Sequence, residues 1–247
     1  MVFDKLSNFL ILPLYYFIHH NIFFGFIHKY FIKTFRFKKF KFFLNIENIP
    51  LSNYSSFLFN TYEYNDRKLI ERNINDKNHC IIIGGGLGFI PCISYWYSKN
   101  KILVFEINKK IFKNLKMNLN ENNCKYKLLL NNLNFNKKNL YKKFYLTKDF
   151  LSTSSKSKSN KYIKVKNLFF RNINEISKFN TLIIDAEGDE KYYIENLRKL
   201  KTIKHLFFEL HYNIFNDSEV SKIMKKLKKN RFKLKDKCFN SFYFVKY

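Results

Sequence analysis

The run HCIIIGGGLGFIPC, residues 79–92, sends a string of isoleucines into four glycines within five residues. The chain has only six glycines in 247 residues, and Gly84, Gly85, Gly86 and Gly88 account for four of them. The isoleucines read as a short buried strand, because β-branched side chains pack well on a pleated surface. FIPCISYWYSKN reads as the helix that follows, with Pro91 tolerated only near its start. A strand that passes through glycines into a helix puts bare backbone where a side chain would block a ligand. It also aims the first N–H groups of the helix at a polar or anionic partner. A turn needed only for tight packing is the duller reading, and four glycines of six is a large share for that. The spacing is not the dinucleotide G-x-G-x-x-G, since the last glycine would fall at Phe89 or Pro91.

From residue 80 onward, strand and helix periods alternate, the pattern of an α/β fold. KILVFEI, KYKLLL, TLIIDAEGDE and KHLFFELHY read as further strands. NKKIFKNLKMNLNENN, with Ile111, Leu115 and Leu119 on one face, and SEVSKIMKKLKKN read as helices. RFKLKD and SFYFVKY close the chain as an antiparallel pair. STSSKSKSN, residues 152–160, reads as a loop between two short strands, KFYL and YIKVK. The expected fold is a seven-stranded, mostly parallel sheet ending in one antiparallel strand. Ligands of such sheets bind at the carboxyl ends of the strands, where the strand order reverses.

The second strand ends in Glu106, eighteen residues after Gly88. A carboxylate there has enough lone pairs to accept from both hydroxyls of a ribose, and Asn108 follows two residues later. With no pyrophosphate fingerprint, S-adenosylmethionine fits the pocket better than a nicotinamide dinucleotide.

These residues resemble the FkbM-type methyltransferases, a family within the Rossmann-like enzymes that use S-adenosylmethionine. The resemblance covers about residues 50–215 and rests on YSSFLFNTYEYNDRKLIE, IIIGGGLGFI, VFEINKKIFKNLKMNLNENN, LIIDAEGDEKYYIENL and LFFELH. The pairing of D-x-E-G-x-E (Asp185, Glu187, Gly188, Glu190) with E-x-H (Glu209, His211) is its most specific part. It implies a class I methyltransferase fold, S-adenosylmethionine as cofactor, and O-methylation of a hydroxyl on a sugar, glycolipid or secondary metabolite. Tyr62 and Glu63 match the region before the first strand and are expected near the cofactor, though Tyr62 could equally pack the sheet edge. One position departs: the family often has an aspartate two residues before the first loop glycine, where this chain has Ile82.

Methyl transfer needs an in-line approach and a place for the hydroxyl proton. Asp185, Glu187, Glu209 and His211 fall at the carboxyl ends of adjacent expected strands, so they can share one cleft. The expectation is that Asp185 or Glu187 positions the acceptor hydroxyl and that His211 or a carboxylate takes its proton. Duller roles compete: Asp185 as a helix cap, Glu190 as a solvated first-turn charge, and His211 as an ordinary loop residue. No His-rich ligand spacing points to a metal.

The formal charge of +27 suggests an anionic partner. Much of it follows from a composition rich in Lys, Asn, Phe, Ile and Tyr, all encoded by A/T-rich codons, with Ala186 the only alanine. A nucleic-acid methyltransferase is therefore a rival reading. Against it, the fourth strand ends in Asp-Ala-Glu-Gly rather than the Asn/Asp-Pro-Pro-aromatic turn of base-methylating enzymes. Other rivals are a degenerate binding domain and, for want of the last glycine, a weak nicotinamide oxidoreductase. Cys80, Cys92, Cys124 and Cys238 show no metal spacing and read as reduced, in a cytoplasmic setting.

Residues 1–49 form an N-terminal extension to a methyltransferase domain spanning 50–247. FLILPLYYFIHHNIFFGFIHKYFI, residues 9–32, is apolar and aromatic but is interrupted by His19, His20 and Asn21. KTFRFKKFKF, residues 33–42, alternates basic and aromatic residues. Residues 9–42 suit in-plane contact with an anionic membrane at its cytoplasmic face. A packed cap on the domain is the competing reading, and a spanning helix the weakest, because its polar centre would be costly in lipid.

Overall fold

The computed structural model describes residues 22–46, 49–146, 153–154 and 160–247. Residues 9–21 of the apolar segment and most of the 152–160 loop lie outside them.

The first described elements are a short helix α1 (Ile22–Ile27), continued by a π-helical turn (His28–Ile32), and a hairpin of β1 (Thr34–Phe37) and β2 (Phe40–Phe43). KTFRFKKFKF is thus a hairpin turning at Lys38–Lys39. Its period-2 alternation puts Phe35, Phe37, Phe40 and Phe42 into the core and Arg36 outside. Helices α2 (Leu51–Leu58) and α3 (Tyr64–Asn73) lead into the main sheet.

Strand β3 (Cys80–Ile83) is buried at every residue, and α4 (Phe89–Ser98) follows the glycine loop. β4 (Ile102–Phe105), α5 (Lys109–Glu121) and β5 (Tyr126–Leu129) come next. A small second sheet, in the order β6-β9-β7-β8, is formed by β6 (Asn132–Asn134), β7 (Tyr141–Leu146), β8 (Thr153–Ser154) and β9 (Tyr162–Phe169). The chain then returns through β10 (Thr181–Ile184), α6 (Glu190–Glu195), β11 (His205–Glu209), α7 (Asp217–Lys229), β12 (Phe232–Cys238) and β13 (Ser241–Lys246). A capping box between Asn216 and Glu219 starts α7.

The main sheet has the order β12-β13-β11-β10-β3-β4-β5, and β13 alone runs against its neighbours. This is the Rossmann-like, seven-stranded sheet with one antiparallel strand that the sequence predicts. From β3 the chain steps outward to β4 and β5, then returns to the other side of β3 as β10 and β11. The order therefore reverses at β3, and a crevice opens at its carboxyl end.

Buried clusters cover both faces of the sheet. Ile82, Val104, Ile183 and Phe207 face the helices and the N-terminal hairpin, while Ile81, Ile83, Leu182 and Phe208 face α6 and α7. Phe89, the first residue of α4, lies within 5.2–5.8 Å, between ring centroids, of Phe35, Phe37, Phe42 and Tyr62. The hairpin is therefore packed onto the helix that begins at the glycine loop. Asn118 ties the same parts together through its amide: Nδ2 donates to the Leu87 and Phe43 carbonyls, and Oδ1 accepts from Phe43 N–H at 2.8 Å.

Candidate functional site

The glycine loop leaves β3 between the ends of β4 and β10. At Gly84, with φ +87°, a Cβ would sit 1.9 Å from the Asp185 carbonyl oxygen, so only glycine lets the loop pass β10. At Gly86 the nearest atoms to such a Cβ are Glu63 Oε1 at 3.7 Å and Tyr62 Oη at 4.0 Å. Tyr62 and Glu63 thus stand over the exposed side of the loop. Gly85 is closed in by Leu115 and Val104, and Gly88 caps α4 against Leu115 and Asn118. Ile82, two residues before the first loop glycine, is 1% exposed and belongs to the core.

Glu106, at the end of β4, is 5% exposed. Its Oε2 accepts from the N–H of Gly85 (3.2 Å) and Gly86 (3.1 Å), and its Oε1 from Ile107 (2.7 Å) and Asn108 (2.8 Å). Burial raises the carboxyl pKa, and these four bonds work against that rise. Glu106 therefore braces the loop, and a ribose would share or replace the bonds from Gly85 and Gly86. The Asn108 side chain acts elsewhere, accepting from Lys110 N–H to cap α5.

Between loop and acids lies a cleft lined in part by Gly84, Gly86, Glu106, Asp185 and Glu187. Phe144 and Tyr193 form part of its apolar wall. Lys142, from the small sheet, pairs with Asp189 at 2.5 Å beside it.

The carboxylates converge on one imidazole. Strand β10 ends at Ile184, and a turn with φ +47° at Glu187 and +104° at Gly188 follows. That turn carries both acids to the same atom: Nε2 of His211 lies 3.3 Å from Glu187 and 3.8 Å from Asp185, with Glu209 at 3.9 Å. Asp185 does not cap the next helix, whose N-cap is Asp189. Asp185 Oδ1 is enclosed and lacks a hydrogen-bond partner. Glu209 accepts a short hydrogen bond from the Asn240 amide.

Glu190 corrects the sequence reading of a solvated charge, for it has no solvent exposure. It accepts from Ala186 N–H (3.2 Å) and Gly188 N–H (3.0 Å), and its Oε1 lies 3.1 Å from His211 Nδ1. Burial lowers the His211 pKa, but the Glu190 hydrogen bond and the charges of Asp185, Glu190 and Glu187 outweigh it and raise it to about 10. At neutral pH, His211 is an imidazolium held between acids.

Asp66 and Glu63 complete the acidic wall, and the sequence reading assigned Asp66 no role. Burial, with Glu209 nearby, raises Asp66 to about 7; burial, with Asp66 and Glu209, raises Glu63 to about 8 against the opposing effect of Tyr62. Asp185 is raised too, first by burial and then by Glu187 and Glu209. Asp185, Glu209 and His211 each offer one ligand atom, all within 4.8 Å, a donor set for a divalent cation. A cation there and a protonated Nε2 are mutually exclusive. Among the described residues, no helix is long and apolar enough to cross a membrane.

No protein-family model matches the chain, and no curated protein sequence is similar to it. Solved structures with a similar course include a methyltransferase from Pyrococcus furiosus, at 12% identity over 97% of this chain and 98% of that one, with a TM-score of 0.47. A ribosomal protein L11 methylase from Lactobacillus delbrueckii subsp. bulgaricus shares 13% identity over 74% and 77%, at 0.44. An uncharacterized protein from Listeria monocytogenes serotype 4b shares 10% identity over 73% of this chain, at 0.45. The chain spans 66% of the length of that protein, just under two thirds.

Proposed function

We propose that the protein is an S-adenosylmethionine-dependent methyltransferase of the FkbM type that methylates a hydroxyl of a saccharide or similar small acceptor. One observation carries the reading. A loop braced by Glu106 and a wall of three acids around His211 Nε2 meet at the carboxyl end of β3, where the strand order reverses.

The residues fit the cofactor's chemistry. Gly86 leaves room for its backbone-facing part, Glu106 offers acceptors for a ribose, and Tyr62 and Glu63 stand where they can close over it. The bound cofactor supplies an electrophilic methyl group on a sulfonium. An acceptor oxygen held by the acidic wall would take that methyl group, and the cofactor would leave as a neutral thioether.

The hydroxyl proton passes to a carboxylate. His211 is already protonated at neutral pH and is poorly suited to receive it. Asp185 is the better base: its Oδ1 is enclosed without a hydrogen-bond partner, and burial raises its proton affinity above that of an ordinary carboxylate. His211, pinned by Glu190, then orients Glu187 and Asp185, while Glu209 is fixed by Asn240.

Calorimetric titration with S-adenosylmethionine and, in parallel, with NADH tests the pocket. Micromolar binding of the first alone, lost in Glu106→Ala, is the expected result; binding of NADH alone would overturn the reading.

The charge of +27 favours one other reading, methylation of a nucleic acid. Such binding would weaken steeply with salt, with a slope set by the number of phosphates contacted. A flat salt profile against RNA and DNA removes it.

A further inference from the structure

The outward surface of residues 22–32 is not explained by any site at the strand ends. Six of the fifteen large apolar side chains exposed among the described residues fall in this segment. They are Ile22, Phe23, Phe26, Tyr30, Phe31 and Ile32, with Phe23 66% and Phe31 78% exposed.

This surface is not a core face turned the wrong way, because the segment already has an inner face. Phe24 meets Phe59 edge-on at 5.1 Å, and His28, 2% exposed, lies against Tyr54 and Phe57. Gly25 lets the helix approach α2 so closely that a Cβ would sit 1.9 Å from the Leu51 carbonyl oxygen. The segment is thus clamped to the domain on one side and apolar on the other. An exposed aromatic cluster of this density marks an interaction surface.

Charge identifies what covers it. Residues 22–46 contain six Lys or Arg and no Asp or Glu. Lys38 and Lys41 pair with Glu71 and Glu121, while Lys33 and Arg36, which follow the aromatic segment, are exposed and Lys39 lies over the ring of Trp96. Lys29 lies over the ring of Tyr30. Aromatic rings next to lysines match the boundary of an anionic bilayer, with rings at the acyl margin and ammonium groups among the phosphates. The residues just upstream, FLILPLYYFIHHN at 9–21, continue the same composition.

We propose that residues 22–39 dock the protein in the plane of an anionic membrane, with Phe23, Phe26, Tyr30 and Phe31 entering the interface and Lys29, Lys33 and Arg36 meeting lipid phosphates. The inference is independent of the methyl-transfer reading and stands or falls without it.

The test is co-sedimentation of the full chain with phosphatidylcholine vesicles, alone and containing phosphatidylglycerol, at low and high salt. Two variants change only surface side chains: Phe23→Ser with Phe31→Ser, and Lys29→Glu with Lys33→Glu. Each is checked for an unchanged melting temperature. The expected result is binding to the phosphatidylglycerol vesicles only, with the partition coefficient lowered on the order of tenfold by either pair. High salt should remove the lysine contribution and leave the phenylalanine contribution. Absence of vesicle binding, or variants that bind like the parent chain, would overturn the proposal. So would a serine pair that converts an oligomer to a monomer with vesicle binding unchanged, which would assign the surface to a second copy of the chain. Vesicle binding that survives both pairs but disappears on deleting residues 1–21 would assign it to that segment instead.

Discussion

Nδ1 of His211 lies 3.1 Å from Oε1 of Glu190, a fully buried carboxylate supplied by the first residue of α6. The same carboxylate accepts the N–H groups of Ala186 and Gly188, so one side chain fixes both the turn bearing Asp185 and Glu187 and the ring those acids face. The arrangement couples backbone shape to the protonation of an imidazole.

Replacing Glu190 should therefore have two effects. Glu190→Ala leaves buried donors unsatisfied and should lower stability by about 3 kcal/mol, read in a denaturant titration. Glu190→Gln keeps the shape but loses the charge, and the His211 imidazole resonances should titrate at a clearly lower pH than in the parent protein. An unchanged His211 titration would show that Glu190 does not hold the imidazolium.

Stability should fall as pH rises. Asp66, Glu63 and His211 all have folded pKa values above their unfolded ones, at about 7, 8 and 10. Each binds more protons folded than unfolded, so its contribution is complete below the unfolded pKa and is lost through the folded one. Melting temperatures should decline from pH 5 toward 9, and Glu63→Gln should flatten the part of that decline below pH 8.

Two glycines of one loop should respond differently to alanine. Gly84→Ala places a methyl group against the Asp185 carbonyl and should prevent folding or destabilise the protein by several kcal/mol, seen as lost soluble yield or melting temperature. Gly86→Ala meets nothing nearer than 3.7 Å and should cost about 1 kcal/mol for its positive φ. Its main effect should be on the affinity for S-adenosylmethionine by calorimetry, weakened on the order of tenfold.

Asp185→Asn should separate binding from chemistry. The amide keeps the shape but cannot take a proton, so turnover on a competent acceptor should fall about 10²–10⁴-fold while cofactor affinity is retained. Full turnover in this variant would move the base to Glu187 or Glu209.

The strands of the main sheet and the place of the crevice were legible because isoleucine runs and scarce glycines are strong local signals. Asp185, Glu187, Glu209 and His211 were legible as strand-end residues for the same reason. Glu190 was not. An acid in the first turn of a helix usually faces solvent, whereas this one is buried and bonded to the N–H groups of the preceding turn and to His211, which follows another strand. Asp66 was missed because its neighbours Glu63 and Glu209 are remote from each other in sequence. Asn118 was hidden by composition, since one buried asparagine is indistinguishable in a chain full of them until Leu87 and Phe43 are seen to bond it. In KTFRFKKFKF the alternation was visible, but only the structure shows that its phenylalanines have Phe89 to pack against.

Glu106 is fully bonded before any ligand arrives, since four amides already occupy its oxygens. Ligand entry at this carboxylate is then an exchange: hydroxyls that claim Oε2 release the Gly85 and Gly86 N–H groups, which must find a new acceptor. A molecule with a diol alone leaves those amides stranded, and one with acceptors alone finds no vacancy. The loop thus selects for a ligand that brings both kinds of group at once, and it discriminates by the mismatch it would suffer rather than by the strength of any one bond.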